Sequence, residues 1–302
     1  MARRKKGRDV NGILLLDKPP GRSSNSALQK VRYLFKAKKA GHTGSLDPLA
    51  TGVLPICFGE ASKVTAYLLD SDKRYTCTAQ LGITTTTGDK EGEELQVRTV
   101  NPFNEDNIEN ILAKFRGDIE QIPPMFSALK HNGQPLYKLA RQGIEIKRKA
   151  RQVTIHALTL LGFTEDSITL DIKCSKGTYI RTLAQDIGEA LGCGAHLSML
   201  RRTEVSPFDC TKIYTIEDIE ALSTENTLDS LLLPIDSALP NLPKITLNKE
   251  EAGLIQNGIR IQRENIPHAP LIRLYLENTE FIGLGYYSPD GKLAPKRLMR
   301  TN

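Results

Sequence analysis

Residues 41–52 read GHTGSLDPLATG. One carboxylate, Asp47, stands among three glycines, a proline and small polar residues. A residue ahead of proline is pushed out of the helical region of backbone space, so Asp47 is expected on an extended or turn segment. Gly44 and Gly52 permit tight turning and close approach of backbone to a ligand. The same spacing also suits a turn aspartate that hydrogen-bonds its own backbone.

The surrounding chemistry narrows the options. Two-carboxylate hydrolysis needs a second acid, and Asp17, Glu60 and Asp70 form no recognisable pair with Asp47. GITTTTGDK misses the phosphate-loop pattern, GCGAHL lacks the last glycine of a dinucleotide fingerprint, and no G-x-S-x-G elbow occurs. An aspartate acting directly as nucleophile fits what is left, since a carboxylate is ionised at neutral pH and needs no base to activate it. The five cysteines (57, 77, 174, 193, 210) are odd in number and scattered, which argues against a disulfide frame or a zinc site and for reduced thiols in cytoplasm. No metal and no cofactor are expected.

Charge is uneven along the chain. Residues 1–47 carry twelve Lys or Arg against three acids, within a net +6 for all 302 residues. A basic patch attracts polyanions, although residues 1–8 alone suit a solvated tail equally well. No apolar run approaches the ~20 residues that span a bilayer, and no signal peptide is read at the basic N-terminus.

Outward from Asp47, GILLLDK reads as a buried strand ending in a proline turn. The segment after it is helical, with Leu28, Val31, Leu34 and Phe35 on one side and Ser24 or Asn25 as its cap. VLPICFG is a strand, and EASKVTAYLLD a helix with Val64, Tyr67 and Leu68 on one side. Tyr75, Cys77, Ala79 and Leu81 alternate on a strand, followed by a loop at 83–94. Residues 104–117 form a helix with a glycine stop, 168–177 a strand, and 178–192 a helix that starts right after Gly177. Residues 124–151 form a basic protruding insertion in which Lys130, Lys138, Arg141, Lys147, Arg148, Lys149 and Arg151 could grip phosphates. Residues 234–247 read as a proline-rich linker, followed by short strands at GIRIQ, LIRLYLE, EFIGLGYY and KLAPKRLM. The expected class is α+β around a mixed, mostly antiparallel sheet with flanking helices, plus a small C-terminal β domain. The division falls as 1–240 and 241–302.

The segments LLDKPPG, GHTGSLDPLATGVLPICFGEASKVTAYLLDSDKRY, RGDIEQIPPMFSALK, LYKLARQGIE and CSKGTYIRTLAQDIGEALGCGAHLSMLRR occur in this order. In this the chain closely resembles the bacterial TruB family of tRNA pseudouridine synthases over nearly its whole length, most loosely in the last fifty-five residues. The resemblance implies a pseudouridine-synthase fold with a PUA-like C-terminal module that holds tRNA. It implies isomerisation of uridine to pseudouridine at position 55 in the T-loop of tRNA, by a cytoplasmic enzyme that needs no cofactor and works as a monomer. Asp47 corresponds to the family's catalytic aspartate, its target being uracil C6 or ribose C1′, or its role that of a base toward a glycal. Tyr75 corresponds to a tyrosine that stacks on the uracil and is a candidate for taking the C5 proton. Arg181, with Tyr179 beside it, corresponds to the arginine set against the catalytic carboxylate. Leu200 corresponds to an apolar wall for the flipped base, and His42 to the side chain that enters the stack as the uridine leaves. Lys18 and Pro19 correspond to scaffold under the active-site loop. Without the resemblance, Tyr75 and Leu200 read as core, Arg181 as a surface helix residue and His42 as structural. A non-enzymatic RNA chaperone would use the same basic patch but has no need of the acid. An aspartate phosphotransferase would want a second Asp where Leu49 stands.

Overall fold

The run Gly12–Lys18 explains itself once its neighbours are known. Ile13 and Leu15 point into one hydrophobic core and Leu14 and Leu16 into another. A strand covered on both faces needs an unbroken apolar run instead of an alternating one. The computed structural model describes residues 7–223, 227–264, 267, 269–277 and 280–300.

The chain begins with β1 (Gly12–Lys18), α1 (Ser24–Leu34), β2 (Ala40–His42) and β3 (Thr51–Phe58). A 3₁₀ turn, α2 (Thr65–Leu69), β4 (Lys73–Leu81), β5 (Ile83–Thr85) and β6 (Glu94–Val97) follow. Next come α3 (Glu105–Leu112), β7 (Gly117–Gln121), the two-residue strands β8 (Lys130–His131) and β9 (Gln134–Pro135), and α4 (Leu136–Ala140). The larger body closes with β10 (Arg151–Phe163), β11 (Ser167–Cys174), α5 (Ile180–Ala190), β12 (Ala195–Val205) and α6 (Ile216–Ser223). The C-terminal part holds β13 (Lys244–Leu247), α7 (Lys249–Gln256), β14 (Ile272–Leu276), β15 (Glu280–Tyr287) and β16 (Leu293–Leu298).

The main sheet runs β1-β3-β12-β4-β11-β10-β7, with β2 on β3. Its one parallel pair is β12 with β3, and every other pair is antiparallel. The mixed, mostly antiparallel expectation therefore holds. On one face lies the larger core, which takes Leu28, Val31 and Phe35 of α1, Ile108 and Leu112 of α3, and Leu183 and Ile187 of α5. The other face meets Val64 and Leu68 around α2, and Leu284 and Met299 of the C-terminal part. The second sheet, β13-β14-β15-β16, has its own core of Ile245, Leu247, Ile255, Ile272, Leu274, Ile282 and Leu293.

Several local expectations need correction. Ser23, not Ser24 or Asn25, caps α1 by accepting from Ser26 N–H; Ser24 is engaged elsewhere, as described below. The helix expected right after Gly177 begins at Ile180, because Tyr179 is extended (φ −98°, ψ 107°) and its backbone is held by Gln121. The segment 234–247 is no free linker. It makes a 3₁₀ turn at Ile235–Ala238, buries Leu239, and supplies β13, which pairs in parallel with β14. GIRIQ forms only an isolated bridge, Ile261 with Leu293. The loop at 83–94 contains β5 and joins β6 in a short ladder.

Candidate active site

Asp47 lies in the loop that joins β2 to β3, where Asp47 C=O accepts from Ala50 N–H at 3.1 Å. Pro48 occupies the second position of this turn, where its fixed φ is favourable. Four side chains hold the loop. Leu46 N–H donates to Ser24 Oγ at 2.7 Å, and that hydroxyl donates back to Leu46 C=O at 3.0 Å. Lys18 is fully buried, and its ammonium donates to the carbonyls of Pro19, Arg22 and Pro48. Burial pulls the Lys18 amine down to about 8, against the attraction of Asp47, which favours its charge. Arg202, 1% exposed, donates Nε–H to Val53 C=O at 2.7 Å and a terminal N–H to Gly44 C=O at 3.1 Å, tying the two feet of the loop together. Gly52, at φ +97°, passes so close to the backbone of Arg202 that a Cβ there would sit 2.1 Å from the Arg202 carbonyl oxygen.

The fourth is Arg181, in the first turn of α5. Its Nε–H lies 2.9 Å from Asp47 Oδ2 and a terminal N–H 3.3 Å from Oδ1. Its remaining donors go to Thr87 C=O at 2.6 Å and Phe126 C=O at 2.7 Å, with Asp89 at 3.9 Å. The Arg181 side chain is 5% exposed and that of Asp47 39%, so the carboxylate faces the opening and the guanidinium supports it from below. Burial pushes the Asp47 carboxyl above its ordinary value and Asp89 adds to this, while the Arg181 charge and hydrogen bond oppose it. Two-point pairing also fixes the orientation of the carboxylate plane.

Arg181 touches Asp47 directly, and Tyr75 and Tyr179 stand near enough to feel its charge. Tyr75 packs half-buried on the main core, and burial raises its hydroxyl above the usual range, opposed by the neighbouring Arg202 charge. Tyr179 caps α5 and is likewise raised by burial, and both phenols feel the Asp47 charge. His42 lies at the end of β2. Burial and the Arg202 charge lower its pKa, and its buried Nδ1 has no hydrogen-bond partner among the described residues. Leu200 is 6% exposed within the main core and lies opposite Cys77 on β4.

Sequence reasoning missed Asp89, Ser24, Gln121 and Arg202. Asp89 is 3% exposed and anchored by Thr87 Oγ1–H and Glu91 N–H. Its only trace in the sequence is its place in an acid-rich loop. The carbonyls of Thr87 and Phe126 leave no trace at all, because every residue has one. The basic insertion at 124–151 contributes Phe126 C=O to the site. It keeps Lys130, Lys138, Arg141, Lys147, Lys149 and Arg151 exposed, while Arg148 is half-buried near Glu145. Among the described residues no cluster of His, Cys, Asp or Glu could hold a metal ion. All five cysteines are free thiols, and among the described residues no helix is long and apolar enough to cross a membrane.

Residues 32–180 match the model of the TruB family pseudouridylate synthase N-terminal domain. The models of the tRNA pseudouridylate synthase B C-terminal domain and of the pseudouridine synthase II TruB C-terminal region match 181–240 and 243–299. The chain belongs to the TruB family. It is 51% identical to tRNA pseudouridine synthase B of Shewanella denitrificans, covering 99% of this chain and 97% of that one. It is 54% identical to the protein of the same name from Pseudomonas fluorescens, covering 97% of each. Among solved structures, a Cbf5-Nop10-Gar1 complex contains a similar chain, with TM-score 0.71 and 25% identity over 96% of this chain and 84% of that one. As a TruB family member the protein is a tRNA pseudouridine synthase, an isomerase that converts uridine to pseudouridine in tRNA.

Proposed function

We propose that the uridine isomerised is that at position 55 in the T-loop, and that Asp47 is the nucleophile acting on it after it has flipped out of the stack. The observation that carries the role of Asp47 is the pairing of a half-open carboxylate with a buried, two-point-bonded arginine; position 55 and the flipped base rest on the resemblance to the TruB family. In the reaction the C1′–N1 bond breaks, a C1′–C5 bond forms, and the C5 proton leaves while N1 gains one. No atom is added and no electron is exchanged with a cofactor. Asp47 adds to C6 or C1′, or removes a proton on a glycal path. In each case the carboxylate must be anionic, which the Arg181 charge favours.

Tyr75 stacks on the uracil and is the candidate to take the C5 proton. Tyr179 lines the same opening. Leu200, 6% exposed, serves as the apolar wall against the flipped base. His42, neutral because its pKa is depressed, fills the space the uridine vacates, recovering part of the few kcal/mol that flipping costs. Residues 1–240 form the catalytic unit, and 241–302 a PUA-like unit that grips tRNA alongside the insertion at 124–151. The enzyme acts as a monomer on tRNA in the cytoplasm.

Asp47→Asn is expected to bind tRNA with wild-type affinity and to lose turnover by about 10⁴-fold or more. Tritium release from C5-labelled uridine in a tRNA transcript measures this, with carbodiimide primer extension to map the product. A stop outside the T-loop, or release undiminished in the variant, sinks the assignment.

A further inference from the structure

The far end of α1 carries a feature that the Asp47 site does not use. A concavity of about 580 Å³ opens there, lined by Gly7, Gln29, Arg32, Tyr33 and Lys36 among others. Tyr33 is 76% exposed, so its ring is open to a partner. The cations around it divide into two kinds. Lys30 pairs with Glu220, Lys38 with Asp9 and Arg8 with Asp229. Arg32 and Lys36 have no ion pair with any described residue. Lys36 also sits at φ +48° just beyond the helix end, a position that glycine or asparagine fills at lower cost.

The N-terminal segment docks on this rim. Arg8 N–H donates to Lys36 C=O at 2.8 Å, Arg8 Nε–H to Phe35 C=O at 2.8 Å, and Lys38 N–H to Arg8 C=O at 3.1 Å. Gly7 fits against the backbone of Lys36, where a Cβ would meet its carbonyl oxygen at 2.6 Å. Arg32 and Lys36 attract a polyanion, and the exposed ring offers a surface for an unpaired base.

The opposite end of α1 is bonded to the Asp47 loop through Ser24 and Leu46. An eleven-residue helix spans roughly 16 Å, so the hollow and the Asp47 loop lie within reach of one RNA chain. We propose that this hollow is an accessory seat for the RNA chain of the substrate, in which Arg32 and Lys36 bind phosphates and Tyr33 stacks on a base. The proposal rests on tRNA as substrate and not on which uridine is modified.

The test is equilibrium binding of the full-length enzyme to tRNA by filter retention between 50 and 200 mM salt. Arg32→Ala/Lys36→Ala is expected to make the slope of log affinity against log salt shallower by about 1.4 to 1.8, with turnover at saturating tRNA unchanged. Tyr33→Ala is expected to weaken binding roughly tenfold and Tyr33→Phe to restore it. Wild-type slope and affinity in the double variant would overturn the proposal. So would a fall in saturated turnover with affinity unchanged, which would place the effect at Asp47. Failure of the T-loop reading shows in the map of the product, which the binding slope does not depend on.

Discussion

At the residue scale the decisive balance is between Asp47 and its surroundings. Burial holds the carboxyl above the ordinary carboxylate range even with a guanidinium against it. In the proposed reaction the anion is the reactive form, so single-turnover rate should fall as pH drops through a value higher than the about 3.9 of a free aspartate. Arg181 favours the anion. Arg181→Lys keeps a charge but loses the two-point geometry and the ties to Thr87 and Phe126. It should slow the chemical step by about 10²-fold and move the acid limb to higher pH, read from rate–pH profiles of both proteins; a limb that stays in place would show that Arg181 does not set the carboxylate. Asp47 itself was legible in the sequence from its proline and glycines. Its partner was legible only through family resemblance, because residues 47 and 181 are brought together by the sheet and not by any local pattern.

At the scale of elements, the β2–β3 loop is held by contacts that differ sharply in tolerance. Gly52→Ala would drive a methyl into the Arg202 carbonyl at 2.1 Å, backbone against backbone, at φ +97°. A loss of roughly 3 kcal/mol or more is expected. At Gly44 (φ +72°) the nearest atom to a new Cβ is the flexible end of Arg202 at 3.5 Å, so Gly44→Ala should cost about 1 kcal/mol, mostly from the left-handed backbone. Denaturant melts of the two variants measure the order, and a reversed order would refute this account of the loop. Element types were readable where periodicity was strong, as in α1 and β4. Their ends were not, because the start of α5 is set by Gln121 holding Tyr179, a contact 58 residues away in the chain.

At the scale of the molecule, the C-terminal sheet is more than an appendage. Leu284 and Met299 complete the core that Ile13, Leu15, Val53 and Cys57 begin. Lys63 donates to Leu298 C=O at 2.6 Å, Arg273 to Pro240 C=O at 3.2 Å, and Tyr275 Oη–H to Asp236 at 2.6 Å. Fully burying each large apolar side chain is worth about 1.5–3 kcal/mol. Ending the chain at residue 242 should therefore lower the melting temperature of the remaining body and expose an apolar face that binds a hydrophobic dye. An unchanged melting temperature would mean that the two parts are independent.

The sequence by itself determined the α+β class, the apolar faces of α1 and β4, the basic first segment and the stiff turn that presents Asp47. Each follows from covalent geometry, backbone preference or a short repeat, which act within a few residues. The tertiary structure alone decided that β1 is covered on both faces, that Arg202 binds both feet of the β2–β3 loop, and that Asp89, Thr87 and Phe126 surround the guanidinium. It also decided that residues 244–247 are a strand and not part of a linker. These features depend on atoms distant in the chain meeting within hydrogen-bonding range, and a guanidinium or a carbonyl carries no sequence mark of the partner it will find once burial removes water as an alternative.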